Sequence, residues 1–143
     1  MSIKQISVFL ENRAGALSEV TSLIAENGID LRAINLAETT DYGILRFIAD
    51  NSKKAVEVLC SNGFIARAND VIVIAVADKS GGLHTLLDLL ADENLDIQYM
   101  YSIFSGKGDN AYMVIQVKDV LLAEQIFKKH NIKTADKAEL NIK

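Results

Sequence analysis

The amino-acid sequence predicts an α+β fold of two ferredoxin-like βαββαβ units, each an antiparallel four-stranded sheet covered on one face by two helices. The first observation behind this prediction is an internal repeat: at an offset of 66 positions, Asn12–Leu17 aligns with Asp78–Leu83. The second is the spacing of apolar residues, which changes after each motif from a strand period to a helix period. The third is a later alignment, at an offset of 68, of Ala55–Leu59 with Ala123–Phe127. A repeat of this length indicates two similar units.

The first unit, residues 1–70, contains six predicted elements. Alternating Ile6, Val8 and Leu10 indicate a first strand, and the apolar spacing from Leu17 to Ile24 indicates a helix that ends at a left-handed Asn27-Gly28 cap. The later elements are a strand at 29–37, a turn at 39–43, a strand at 44–49, a helix between the caps 50–52 and 62–63, and a short strand near 65–68.

The second unit, residues 71–143, repeats this order. Its predicted elements are a strand at 71–76, a helix at 83–93, a strand at 95–104, a hairpin at 105–110, a strand at 111–117, a helix at 120–130 and a last strand at 138–142. At the offset of 68, the last strand also aligns with residues 71–75. Two arrangements therefore remain open: either the first unit closes with its own short strand near Ile65–Ala68, or the units exchange strands.

Composition narrows the classes of partner. The 143 residues carry a formal charge of −4, which is divided evenly between the two units. Nucleic acids and anionic membranes are bound by clustered Lys and Arg side chains, so we expect neither as a partner. Two units of this size are each marginal in stability, and we therefore expect a homodimer or packing between units.

A single cysteine, Cys60, excludes an intramolecular disulfide and a cysteine-based metal cluster. The longest apolar run, Val71–Ala77, is too short to cross a bilayer, and no secretory leader is evident. We therefore expect a cytoplasmic protein without a metal or other cofactor.

No catalytic group is predicted. Arg13 lies where an acylphosphatase-like enzyme would hold its phosphate, but Lys79 replaces it in the second copy. His84 and His130 have no nucleophile in a recognisable pattern beside them. Ser105–Gly108 is glycine-rich, but it lies between two strands, where a hairpin turn is favoured over a phosphate loop. The sequence therefore predicts a protein that is not an enzyme.

The duplicated loop is the strongest candidate for a binding site. Its glycine, Gly15 in the first copy and Gly81 in the second, permits a tight turn and the close approach of a ligand. The residues that follow present backbone N–H groups at a helix N-terminus, which attracts a carboxylate. The simpler explanation of one such motif is a turn glycine followed by a core leucine, but two copies at matched positions favour binding.

The strand, loop and helix, set twice in βαββαβ order, resemble the ACT domain, a regulatory module that binds amino acids between paired domains. The resemblance covers nearly the whole chain and implies a free-standing tandem ACT protein without a catalytic domain. The first copy matches at Asn12, Arg13, Gly15 and Leu17 and differs at Ala14, where proline is usual. The second copy differs at Ser80 and Gly82, which makes it the less certain site.

By this resemblance, a free amino acid lies between the first-helix loop of one unit and the second strand of a neighbour. We assign its carboxylate to the N–H groups of Gly15, Ala16 and Leu17. Asn12 then binds the ammonium or fixes the loop, and Arg13 frames the pocket. The candidate residues are Asn12, Arg13, Ala14, Gly15, Ala16, Leu17, Asn35, Leu36 and Ala37, with their counterparts Asp78, Lys79, Ser80, Gly81, Gly82, Leu83, Tyr101, Ser102 and Ile103.

The resemblance predicts a small-molecule sensor that transmits the presence of an amino acid to a regulated enzyme. The alternative is a regulatory or assembly subunit of an amino-acid biosynthetic enzyme that binds no ligand itself. An intact polar loop in the first copy favours the sensor.

Overall fold

The structure is a computed structural model that describes residues 2–38, 41–104 and 110–143. Within these residues the fold is α+β, with six strands in antiparallel pairing and four helices. In chain order the elements are β1 (Ile3–Glu11), α1 (Ala16–Glu26), β2 (Leu31–Glu38), β3 (Tyr42–Ala49), α2 (Ser52–Ser61), β4 (Ala66–Ala77), α3 (Gly82–Asp92), β5 (Ile97–Ser102), β6 (Asn110–Val117) and α4 (Val120–Lys129).

These elements form two compact units. The first unit contains Lys4–Asp70 and Asn141–Lys143, and the second contains Val71–Leu140 and the N-terminal residues up to Ile3. The last residues of the chain join the first unit through Lys143, whose N–H donates to the carbonyl oxygen of Asp50 at 2.8 Å.

The sheet of the first unit has the order β2-β3-β1, followed by the beginning of β4. Phe9 of β1 donates its N–H to the carbonyl oxygen of Ile65 at 3.1 Å, so the segment at 65–70 lies beside β1 and closes this unit. The alternation predicted from the sequence is present, because Ile6, Val8 and Leu10 are buried on one face. That face carries the core of the unit.

Two helices cover this face. Val20 and Ile24 of α1 and Ala55 and Leu59 of α2 are buried in the same core cluster. Helix α1 ends at Glu26 with Asn27 as its C-cap, and Gly28 beyond the cap has the predicted left-handed backbone with a φ of +67°. Helix α2 begins at the cap Asn51, whose side-chain oxygen accepts from the N–H of Lys54 at 3.1 Å.

The second unit has the same plan over most of its length. Its sheet order is β4-β6-β5, and Ile72, Ile74 and Val76 of β4 form its core face. Leu90 of α3 and the buried side chains of α4 pack in the same cluster. Cap Asp119 begins α4 in the way Asn51 begins α2, because its carboxylate accepts from the N–H of Leu122 at 3.0 Å.

The predicted last strand at 138–142 is wrong. Residues 137–141 form turns, and Asn141 has a φ of +54°, which is incompatible with extended backbone. The segment 133–135 occupies the place beside β4 instead: Ala75 donates its N–H to Lys133 at 3.0 Å, and Ala135 donates to Val73 at 2.8 Å. In the described residues this pairing is an isolated bridge, so the predicted four-stranded sheet is incomplete in the second unit.

Other predicted boundaries also move. Strand β4 is continuous from Ala66 to Ala77, where the sequence predicted two separate strands. Tyr42 and Gly43, predicted in a turn, already belong to β3. Of that turn, residues 39 and 40 lie outside the described residues, as does the predicted hairpin at 105–110 except for Asn110, where β6 begins.

Two further features of the described residues bear on function. None of the helices found there has the length and apolarity that a bilayer span requires. No group of three or more His, Cys, Asp or Glu side chains in these parts of the chain is arranged to hold a metal ion.

The ends of α3 and α4 are joined by an ion cluster centred on Glu93. Its Oε1 lies 2.8 Å from the Nζ of Lys129 and 2.7 Å from the Nε2 of His130. The hydrogen bond from Lys129, and secondly that from His130, holds the pKa of Glu93 below its ordinary value of 4.5.

Because of this cluster, we expect the protein to lose part of its folding stability at acidic pH. A carboxylate whose folded-state pKa is lowered stabilises the fold above its unfolded-state pKa, and this contribution is lost as the pH falls through the folded-state pKa. We therefore expect Glu93→Gln to lose less stability than the wild-type chain when the pH falls below 4.5, the ordinary glutamate pKa. Urea midpoints measured from pH 7 to pH 3 test this, with Glu57→Gln on the exposed surface of α2 as the control. Equal acid losses in the wild type and in Glu93→Gln would contradict it.

Candidate functional site

The loop between β1 and α1 turns at Gly15. Gly15 is the N-cap of α1 and has a φ of +86°, in the left-handed region. A Cβ added there would meet no atom within 4 Å. The glycine is therefore required by the backbone conformation rather than by crowding, and the space beside the turn is open.

Three backbone hydrogen bonds hold this loop. Arg13 donates its N–H to the carbonyl of Glu11 at 2.9 Å, Ala16 donates to Arg13 at 3.3 Å, and Glu19 donates to Gly15 at 3.0 Å. In the described part of the chain, the N–H groups of Gly15 and Leu17 have no protein acceptor. Unpaired N–H groups at the positive end of a helix dipole suit an anionic ligand.

Arg13 does not extend freely from the loop. Its Nε lies 3.1 Å from an oxygen of Glu11, and its Nη2 also pairs with Glu19. The hydrogen bond from Glu19 and then that from Glu11 raise the pKa of the Arg13 guanidinium above its ordinary value. Sequence analysis did not assign Glu19 to the site, although an acidic residue in the first turn of a helix is a recognisable signal.

The second loop has the same backbone arrangement. Gly81 is the N-cap of α3 and has a φ of +81°. Lys79 donates its N–H to Ala77 at 2.9 Å, Gly82 donates to Lys79 at 3.0 Å, and Thr85 donates to Gly81 at 3.0 Å. These bonds match those of the first loop one by one.

The two loops differ in how tightly they close. A Cβ added at Gly82 would overlap the carbonyl oxygen of Ala77, whereas the matched position in the first loop holds Ala16. The following leucines also differ, because Leu17 packs against the first core and Leu83 is 37% exposed. The second loop therefore lies closer to the end of its preceding strand.

In the first unit, the candidate strand residues and the loop lie at the same end of the sheet, where β1 and β2 both finish. The pairing register aligns Phe9 of β1 with Ile44 of β3, and Ile44 with Ala37 of β2. Strand β3 therefore separates the end of β2 from the loop that follows β1. Leu36 is 49% exposed, and Asn35 is partly buried opposite Arg46.

In the second unit, two of the three counterparts are buried. Tyr101 and Ile103 are each 7% exposed, while Ser102 is exposed. Among the described residues, the first unit therefore combines an open loop with an accessible candidate strand, and the second unit does not.

A groove begins at Gly15 and follows the exposed side of α1. Its volume is about 500 Å³, and its wall includes Ser18, Glu19 and Ser22 of α1 and Phe64 beyond α2. Sequence analysis did not place these four residues near the site. Ser18, Glu19 and Ser22 recur at the spacing of one helix face, whereas Phe64 is brought to the groove by the fold.

Comparisons with known proteins agree with this fold. The family model of an ACT domain pair matches residues 1–141. A crystal structure of a protein from Bacteroides thetaiotaomicron is 34% identical, with a TM-score of 0.89 and coverage of 99% of this chain and 96% of that one. No curated protein matches the chain.

Two more distant structures share the fold. The ligand-free regulatory subunit of aspartate kinase from Thermus thermophilus is 17% identical, with a TM-score of 0.63 and coverage of 90% of each chain. The corresponding regulatory subunit from Thermus flavus is 14% identical, with a TM-score of 0.55 and coverage of 88% of this chain and 90% of that one.

Proposed function

Because the chain belongs to the family of ACT domain pairs, which are regulatory modules, we propose that it is a sensor that binds a free amino acid. The proposed ACT-like domains are residues 1–70 and 71–143. The observation that carries the proposal is the left-handed turn at Gly15, which has open space beside it and where, in the described residues, the N–H groups of Gly15 and Leu17 have no protein acceptor.

The ligand carboxylate accepts hydrogen bonds from Gly15 and Leu17 in this proposal. Ala16 contributes a third donor, because its bond to Arg13 is long at 3.3 Å and is readily given up to a charged acceptor. The exposed side chain of Asn12 receives the ammonium group. Arg13, held by its two carboxylates, frames the loop rather than binding the ligand directly.

A second copy of the chain supplies the facing strand. The facing strand is β2 in the first unit of that second copy. It contributes Asn35, Leu36 and Ala37, whose accessible positions suit contact with a ligand. The first loop is therefore the main binding site in this proposal.

The alternative function applies better to the second unit. Its loop is closed against Ala77, and its strand residues Tyr101 and Ile103 are buried. These features favour a structural or assembly role for the second unit without a ligand of its own.

A regulated enzyme is the proposed recipient of the signal. The two Thermus structures described above are regulatory subunits of aspartate kinase, and their low identity transfers only the fold. An enzyme of amino-acid metabolism is the partner class that this proposal predicts, with the chain itself performing no catalysis.

A thermal-shift screen of the twenty amino acids tests the ligand proposal. Binding to the native state alone raises apparent stability, by about 2.7 kcal/mol when the ligand is present at 100 times its Kd. We expect one amino acid or a few related ones to raise the Tm. The corresponding amino-acid amides, which lack the carboxylate, should have no effect. A flat response to all twenty would favour the assembly alternative.

We expect Arg13→Ala to reveal no catalytic role. Acylphosphatase chemistry requires a guanidinium that is free to hold a phosphate, and here Glu11 and Glu19 already engage it. Assays with acetyl phosphate should give no turnover for the wild type or the variant. Hydrolysis by the wild type that disappears in a folded Arg13→Ala variant would overturn the proposal that the chain is not an enzyme.

A further inference from the structure

The start of α4 exposes three consecutive apolar side chains. Val120, Leu121 and Leu122 are 37%, 74% and 38% exposed. Single exposed apolar residues are common on protein surfaces, but a contiguous group at a helix end is a recognised sign of an interaction site.

The first unit provides an internal comparison. At the offset of 68, the positions of the three apolar residues hold Ser52, Lys53 and Lys54 at the start of α2. Both helices begin at a capped residue with the same hydrogen bond, from Asn51 in one case and Asp119 in the other. The helix start therefore does not require apolar residues, and their presence in α4 calls for another explanation.

Along α4, the exposed helix face that begins with this apolar group continues with one acidic and one basic side chain. Leu121, Glu124 and Lys128 follow one another at the spacing of one helix face, and all three are exposed. These three side chains also line a groove of about 730 Å³, together with other polar residues and the apolar Phe127 and Ile132. One surface thus carries a projecting leucine, a groove with both apolar and polar walls, an acid and a base.

We propose that this α4 surface, formed by Val120–Leu122, Glu124, Lys128 and the adjoining groove, binds the same surface of a second copy of the chain. A two-fold contact requires a patch that is complementary to itself. In this contact Leu121 of each copy enters the groove of the other, and Glu124 of each copy faces Lys128 of the other. The charge pattern fits an antiparallel pairing of two α4 helices.

This inference deepens the homodimer of the proposed function and rests on it. It does not depend on the Gly15 loop, which lies on another part of the chain. Dimer formation and amino-acid binding can therefore be measured separately in the same samples.

The main test replaces the apolar group with the residues of the first unit. In the variant with Val120→Ser, Leu121→Lys and Leu122→Lys, we expect the dimer Kd measured by sedimentation equilibrium to rise at least about tenfold. The helix is expected to form, because α2 begins with the same three residues, and far-UV circular dichroism verifies this. Ile65→Lys is the matched control, since Ile65 is 70% exposed and belongs to the first unit, whereas α4 belongs to the second.

A charge exchange tests the orientation. Glu124→Lys alone and Lys128→Glu alone each place like charges together, so both should weaken the dimer. The double variant restores opposite charges and should return the dimer Kd to near the wild-type value.

The possible results separate the proposals. Amino-acid binding is assayed at micromolar concentrations of protein. A wild-type chain that remains monomeric at about 100 times that concentration overturns this inference, and so does a triple variant with an unchanged dimer Kd. If the dimer persists in the triple variant, the homodimer stands and uses another surface. An amino-acid thermal shift that survives in a monomeric variant contradicts the proposal that a second copy supplies the facing strand.

Discussion

Replacing Gly15 with valine is expected to weaken amino-acid binding at least about tenfold while the protein remains folded. Gly15 has a φ of +86°, which a β-branched residue strongly disfavours. The turn must rearrange, and this moves the N–H groups of Gly15 and Leu17 that the proposal assigns to the ligand carboxylate. Loss of one charge-assisted hydrogen bond costs about 1.5 to 3 kcal/mol, which corresponds to about tenfold or more in affinity. Isothermal titration calorimetry with the amino acid found in the thermal-shift screen measures this directly.

Gly28→Val is the control for backbone strain. Gly28 also has a left-handed backbone, with a φ of +67° and no atom within 4 Å of an added Cβ, but it lies at the other end of α1. It should lower stability to a similar extent and leave affinity unchanged. Gly81→Val should affect affinity less than Gly15→Val. Unchanged affinity in folded Gly15→Val would reduce the loop to a structural turn and remove the main support for the sensor.

Replacing Gly82 with alanine is expected to destabilise the protein by about 3 kcal/mol, the upper end of the usual cost of overpacking. The added Cβ would overlap the carbonyl oxygen of Ala77 and lie 3.2 Å from its carbonyl carbon. Both atoms belong to the backbone, so relief requires movement of the chain rather than rotation of a side chain. The free energy of unfolding in urea measures the effect.

The matched variant is Ala16→Gly in the first loop. It opens space rather than filling it, and we expect a loss of only about 0.5 to 1 kcal/mol from the greater freedom of glycine. If Gly82→Ala were as stable as the wild type, the second loop would be as open as the first. The argument that the second loop is unsuited to a ligand would then fail.

The backbone of the candidate site was accessible to sequence reasoning. Gly15 and Gly81 were predicted to occupy tight turns before a helix, and their left-handed φ values confirm this. The restriction at Gly82 could not be foreseen, because it depends on how closely the loop folds back on Ala77. The same holds for the burial of Tyr101 and Ile103, which depends on tertiary packing rather than on residue type.

The incorrect last strand has a local cause. Ala138, Leu140 and Ile142 alternate as a strand would, but Asp136 accepts a hydrogen bond from the N–H of Glu139 at 2.9 Å. Such a side-chain contact stabilises a turn in competition with extended backbone. Of the alternating residues, only Leu140 is fully buried. An alternating pattern was therefore present without the sheet pairing that usually causes it.

In the proposed sensor, the backbone of the Gly15 loop provides recognition and the facing strand provides selectivity. The carboxylate assigned to the N–H groups of Gly15 and Leu17 is the part that all amino acids share, and side-chain substitutions in the loop leave those donors unchanged. Discrimination among the twenty side chains must then come from residues that face the variable end of the ligand, such as Asn35 and Leu36. A sensor built in this way can change its preferred amino acid by substitutions in one strand while keeping the same anchor.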